Sequence, residues 1–114
     1  MTFAGLPPEA CEQVLAEIRK HPEVKRVVLY RSRALGRHRS GSDVDLCLDA
    51  PDMTLKQLLN LGARLDDLLL PWRFDLQLNH LITHTALRDH IERAGQCVWQ
   101  QDAASIAPPS ADRA

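Results

Sequence analysis

The stretch Leu29-Tyr30-Arg31-Ser32-Arg33-Ala34-Leu35-Gly36-Arg37-His38-Arg39-Ser40-Gly41-Ser42-Asp43-Val44-Asp45-Leu46-Cys47-Leu48 decides how the rest of the chain is read. A β-branched run from Val24 to Tyr30 empties into a small, polar segment holding Arg31, Arg33, Arg37 and Arg39, and an apolar run resumes at Val44. If that second run is a strand, Asp43 and Asp45 at i and i+2 project from one face into a shared space. Two like charges so close repel, and a divalent cation relieves them. Mg²⁺ uses one or two carboxylates of this kind when substrate phosphates complete its shell. The segment between the runs offers hydroxyls, backbone N–H groups and guanidinium groups, which can hold phosphate oxygens that the same ion bridges.

Neither half of this pattern is decisive alone. An Asp-x-Asp at a strand end is more often solvated decoration, and Arg37-His38-Arg39 alone is more often a solvated loop. Their order at strand-loop-strand spacing gives them weight. A third carboxylate, Asp75, lies in Trp72-Arg73-Phe74-Asp75-Leu76-Gln77-Leu78, where Phe74, Leu76 and Leu78 alternate with Arg73, Asp75 and Gln77. That period is a strand with one buried face, which leaves Asp75 on the polar face. Placed beside the Asp43/Asp45 strand, it completes a three-carboxylate metal site in which one carboxylate can also orient or deprotonate an attacking hydroxyl.

At this point the residues resemble the minimal nucleotidyltransferases of the DNA polymerase beta superfamily, whose fingerprint is Gly-Ser, ten residues, then Asp-x-Asp, with a third Asp on a later strand. Ser32, the ten residues Arg33 to Ser42, and Asp43-Val44-Asp45 keep that spacing without a gap, and Leu70 to Leu76 is similar to the third-carboxylate strand. The resemblance covers roughly residues 10 to 100. It departs at Arg31, where the family has Gly. That glycine lets the backbone approach the triphosphate, and a residue with a Cβ does not freely adopt left-handed geometry. Arg31 either turns its guanidinium onto the phosphates or weakens the nucleotide site.

The resemblance implies an α/β (α+β) fold, a small mixed sheet covered by helices. It implies two Mg²⁺ ions on Asp43, Asp45 and Asp75, ATP as donor, and phosphate contacts from Ser32, Arg33, Arg31 and Ser42. Larger members of the superfamily carry a further helical domain that this sequence lacks, so the resemblance also implies a partner. In the small stand-alone members that partner is a helical HEPN protein, an RNase toxin silenced by adenylylation in a toxin-antitoxin pair. The expected activity is transfer of AMP to a hydroxyl of that partner, with tyrosine as the acceptor. A degenerate enzyme that neutralises its partner by contact alone is the second reading, and transfer to a small molecule such as an aminoglycoside is the third.

Composition agrees with one globular domain: 114 residues, 45% hydrophobic and 25% charged, net charge -1. That charge argues against a general nucleic-acid binder, while the cluster from Arg31 to Arg39 suits a compact anion. The three cysteines, Cys11, Cys47 and Cys97, are odd in number and widely spaced, and no secretory signal or apolar run near about 20 residues appears, which together point to the cytoplasm and away from a membrane. Cys47 reads as core packing.

The remaining elements follow from period and caps. Pro7-Pro8-Glu9 opens a helix with Cys11, Val14, Leu15 and Ile18 on one face, stopping near His21-Pro22. Thr54 caps a second helix carrying Leu55, Leu58, Leu59, Leu61, Leu65, Leu68 and Leu69, ending before Pro71. Thr83 or Thr85 caps a third helix to Ala94, stopped by Gly95, and Gln96 to Gln100 form a last strand. His80, His84 and His90 read as surface or cap residues. Trp72 and Trp99 read as core anchors or rim contacts, and apolar surface around them suits either a homodimer or the helical partner. Residues 1–101 form the expected domain and 102–114, rich in Ala, Ser and Pro, the expected tail.

Overall fold

In the computed structural model, which describes residues 2–39 and 41–101, helix α1 (Pro8–Arg19) leads into strand β1 (Arg26–Tyr30), followed by a 3-10 turn at Arg31–Arg33 and strand β2 (Val44–Asp49). Helix α2 (Leu55–Asp66), strand β3 (Phe74–Leu78), helix α3 (Thr85–Ala94) and strand β4 (Gln96–Gln100) complete the fold. The expected tail, 102–114, lies outside the described residues. The sheet order is β3-β2-β1-β4. Strands β1 and β2 pair antiparallel, as do β1 and β4, and the α2 crossover makes β2 and β3 parallel. The expected mixed sheet covered by helices is the observed one.

The alternation of each strand sorts its side chains between two cores. Val27 and Leu29 of β1, Val44, Leu46 and Leu48 of β2, and Leu78 of β3 face α1 and α2, with Phe74 and Leu76 packed at the edge of that cluster. α1 gives it Cys11, Val14, Leu15 and Ile18, the face expected from the spacing. Phe3, Ala4 and Leu6 close it from the N-terminal side, a contribution the sequence pattern did not announce. On the opposite face Val28, Tyr30 and Cys47 meet Ile82 and Ile91, with Leu87 of α3 alongside. Trp72 and Trp99 are half-buried against the larger core.

Two expectations for the helices need correction. The second helix ends at Asp66, ahead of Leu68 and Leu69, and only Leu58, Leu61 and Leu65 are buried along it. The five leucines within it wrap further round a helix than one sheet-facing stripe accommodates, so Leu55 and Leu59 are left exposed, and Leu69, past the helix end with φ 56°, is exposed as well. Thr54 does cap the helix, in a reciprocal capping box with Gln57. The third helix is capped by neither threonine: His84 Nδ1 accepts the Leu87 N–H at 3.2 Å, an imidazole doing what a hydroxyl was expected to do.

Candidate active site

The side chains expected to carry chemistry emerge on the α3 side of the sheet. Tyr30 is opposite Asp45 in the antiparallel register, and Asp45 is opposite Asp75 in the parallel one, so the three form a row across β1, β2 and β3. The carboxyl groups of Asp45 and Asp75 are within hydrogen-bonding reach of each other. Asp45 is buried, only 5% exposed, whereas Asp75 is half-exposed at the mouth. Burial pushes the Asp45 carboxyl above its ordinary range; the charges of Asp75 and Asp43 push the same way, and only Arg31 pulls it down. Burial likewise raises the Tyr30 phenol, with Asp75 and Asp45 adding to the effect. The Tyr30 hydroxyl is buried without a protein hydrogen-bond partner.

Arg31 sits where the two carboxylates need a cation. Its Nη1 is 3.5 Å from Asp45 Oδ1 and 3.9 Å from Asp75 Oδ2, and its guanidinium carbon lies 5.5 Å from the centre of the Tyr30 ring. The backbone at Arg31 is left-handed, φ 63°, so this chain keeps the geometry that a glycine serves while carrying a long cationic side chain there. The Arg31 N–H donates to His90 Nε2 at 2.9 Å, and the His90 ring meets Tyr30 edge-on. His90 is therefore part of the site, although surface or capping duty was expected of it; a contact between residues 59 positions apart leaves no trace in local sequence.

The other expected phosphate contacts divide. Ser32 is half-exposed on the turn that ends β1, and its carbonyl accepts the Arg37 N–H, curling the loop back toward β1. Ser42 holds the far end of the loop, its hydroxyl accepting the Arg39 N–H at 2.9 Å. Arg33 has a different duty from the one expected. It is 5% exposed, with Nε donating to the Ser42 carbonyl at 3.0 Å and Nη1 to the Ala4 carbonyl. Arg31 and Arg33 lie on a 3-10 turn, where residues two apart point in different directions, and Arg33 turns inward, where its donors tie the loop to the N-terminal segment. Gln96 of β4 adds a further tie, donating to the Ala34 carbonyl at 2.7 Å.

The three carboxylates do not stand together as a finished cluster. Asp43 is exposed one residue ahead of β2, and among the described residues no group of three or more His, Cys, Asp or Glu side chains is gathered as a metal site. The donor chemistry nevertheless fits Mg²⁺. Asp45 and Asp75 offer hard oxygens side by side, Asp43 is near enough to influence Asp45, and a guanidinium already stands in for positive charge between the pair. Beside Arg31 opens a cavity of about 420 Å³ lined by His84, Ala86, Leu87 and His90. A second, of about 470 Å³, lies further along the same sheet face toward the other end of β2, between Arg26, Asp49, Arg88 and Cys97.

The polymerase beta nucleotidyltransferase profile matches residues 12–104. The chain belongs to that family. No curated protein matches this nucleotidyltransferase by sequence. Among solved structures, a chain of a toxin-antitoxin structure with AMP-PNP is similar at 20% identity, covering 83% of this chain and 77% of that one, with a TM-score of 0.66. A chain of the toxin-antitoxin MntA-HepT is similar at 18% identity over 82% and 73%, TM-score 0.62. So is one from a tri-AMPylated Shewanella oneidensis HEPN toxin in complex with an MNT antitoxin, at 18% over 81% and 71%, TM-score 0.62. At these identities the likeness is one of fold. The match agrees with the resemblance drawn from the Ser32 to Asp45 spacing. The helices among the described residues include none long and apolar enough to cross a membrane, and all three cysteines are free.

Proposed function

We propose that this nucleotidyltransferase moves AMP from ATP onto a tyrosine hydroxyl of a HEPN-type helical toxin, in the cytoplasm, as the antitoxin of the pair. The observation that carries the reading is the Asp45–Asp75 pair, set side by side by the parallel register at the end of the loop that begins with Ser32. Support comes from the family and from the folds it shares with MNT antitoxin structures, one holding AMP-PNP and another an AMPylated toxin. Asp45 and Asp75 would hold Mg²⁺, with Asp43 completing the set, and the ion would supply charge neutralisation on the polyphosphate. Ser32, Arg31 and the Ser42 hydroxyl proton would face the β and γ phosphates. The nucleoside would lie in the cavity beside Arg31, whose Leu87 and two imidazoles offer largely apolar contact.

In the transfer, the acceptor oxygen bonds to the α-phosphorus, the bond to the pyrophosphate oxygen breaks, and the hydroxyl proton passes to Asp75, the more exposed of the pair. Asp45 is too deeply set to meet an incoming hydroxyl and would hold the metal. The test is incubation with labelled ATP, Mg²⁺ and the neighbouring gene product, read by intact mass. Gain of one or more AMP masses, lost in Asp43→Asn with the circular dichroism unchanged, is the expected result; unchanged incorporation in that variant would sink the assignment.

Arg31 favours one second reading, a degenerate domain that silences its partner by contact alone. Its guanidinium already neutralises the carboxylates. In that case calorimetry with ATP and Mg²⁺ gives no heat, and inhibition survives Asp43→Asn.

A further inference from the structure

The position of Arg31 makes a stronger statement than the loss of a glycine. Three contacts fix it: the backbone N–H on His90 Nε2, the guanidinium beside the Tyr30 ring, and Nη1 within 4 Å of both Asp45 and Asp75. A guanidinium in that place and a divalent cation on the same two oxygens exclude each other sterically and by charge. The side chain is 52% exposed, so it can rotate outward about its own bonds without unpacking the core, while the His90 bond keeps the backbone in place. A polyphosphate arriving at Ser32 would give the guanidinium a bidentate partner of higher charge than the carboxylates it leaves.

We propose that Arg31 is an internal counter-ion that occupies the metal position until a nucleoside triphosphate draws it away, so that metal and nucleotide bind this domain only together. The inference rests on the reading that Asp45 and Asp75 hold the metal. Because coupling between two ligands is reciprocal, the factor by which nucleotide tightens metal binding equals the factor by which metal tightens nucleotide binding. Free divalent cation then leaves the site closed, and a lone acceptor hydroxyl meets no activated centre.

The test uses Mn²⁺ as the probe on the full chain, by calorimetry and by the electron paramagnetic resonance of free ion, with and without a non-hydrolysable ATP analogue. Arg31→Asn is the principal variant, since asparagine tolerates left-handed backbone, and Arg31→Gly is its companion. The wild type should bind Mn²⁺ about tenfold or more tightly with the analogue than without it. Both variants should bind Mn²⁺ alone about tenfold or more tightly than the wild type, with most of the enhancement by the analogue gone. Adding Asp45→Asn to Arg31→Asn should remove the gain. Mn²⁺ affinity in the variants equal to or below that of the wild type overturns the proposal, whether or not AMP is transferred. If the variants gain Mn²⁺ while no form of the protein transfers AMP, the counter-ion stands and the transferase reading falls. Normal transfer with no gain gives the reverse.

Discussion

Replacing Arg31 with glycine should cost stability at neutral pH and less in acid. At neutral pH the variant loses the ion pairs to Asp45 and Asp75. Because the arginine is half-exposed, solvent screening holds these to about 1 kcal/mol together. It loses about 0.5 kcal/mol of cation–π contact with Tyr30, and leaves two adjacent carboxylates without a cation, about another 0.5 kcal/mol. Against this it relieves about 1 kcal/mol of left-handed strain at φ 63°, roughly half of which is offset by the extra freedom of glycine in the unfolded chain. The net is destabilisation by about 1.5 kcal/mol near pH 7.5.

In acid the balance changes because Asp45 titrates. Its folded pKa is raised above the unfolded value of about 3.9, so its contribution to stability is full below that value and is lost as pH rises through the folded pKa. Arg31 is the group that pulls it down. Without Arg31 the folded pKa climbs further and more stability is lost on the way to neutrality. At about pH 4, below the raised folded pKa of Asp45, its ion pair with Arg31 and its repulsion of Asp75 are weakened, so the variant loses less than it does near pH 7.5. Urea unfolding of both proteins at the two pH values measures the difference directly. Equal destabilisation at both, or a variant more stable near pH 7.5, refutes the argument that the guanidinium neutralises this pair.

Other substitutions test separate parts of the structure. Tyr30→Phe removes a buried hydroxyl with no protein partner and should raise stability by about 1 kcal/mol in urea unfolding, provided the ring contacts to Arg31 and His90 persist. Gly95→Ala places a Cβ against the Ile91 carbonyl and the Val28 side chain at the junction of α3 and β4, and should cost about 2 kcal/mol, seen as a Tm lowered by about 10 °C. Thr54→Ala breaks the capping box of α2 and should cost about 1 kcal/mol with little effect on nucleotide affinity. Arg33→Ala frees the Ser42 and Ala4 carbonyls and should loosen the 31–43 loop, measured as faster amide exchange there ahead of any change in global unfolding.

What the sequence made legible was whatever period and spacing encode locally. The α1 face, the alternation of Phe74 to Leu78 and the strand after Asp43 all follow from side-chain direction over a few residues, and the structure reproduces them. The adjacency of Asp45 and Asp75 was conditional on β3 pairing with β2, a long-range choice that no local pattern dictates; the α2 crossover makes it. Arg33 was misplaced because a basic loop near a carboxylate pair invites a ligand role, and only the tertiary structure shows two backbone carbonyls waiting for it. His90 and the unpartnered Tyr30 hydroxyl were missed for the same reason: each acquires meaning from neighbours distant in sequence or across the sheet.

The two faces of the sheet divide the work of folding from the work of the site. The α1/α2 side carries the larger core, with Val14, Leu15, Ile18, Leu46, Leu48 and Leu61 fully buried, and in a protein of this size such packing supplies most of the favourable free energy. The α3 side holds a left-handed arginine, a buried carboxyl with raised proton affinity and a phenol lacking a partner, each of which opposes stability. Strain of this kind persists only where the surroundings over-determine it. Here they do, through the His90 bond to the Arg31 backbone, the Arg33 ties beneath the loop and the Gln96 bond to Ala34. Arg31 is thus held against its own conformational preference by contacts that would survive loss of its guanidinium.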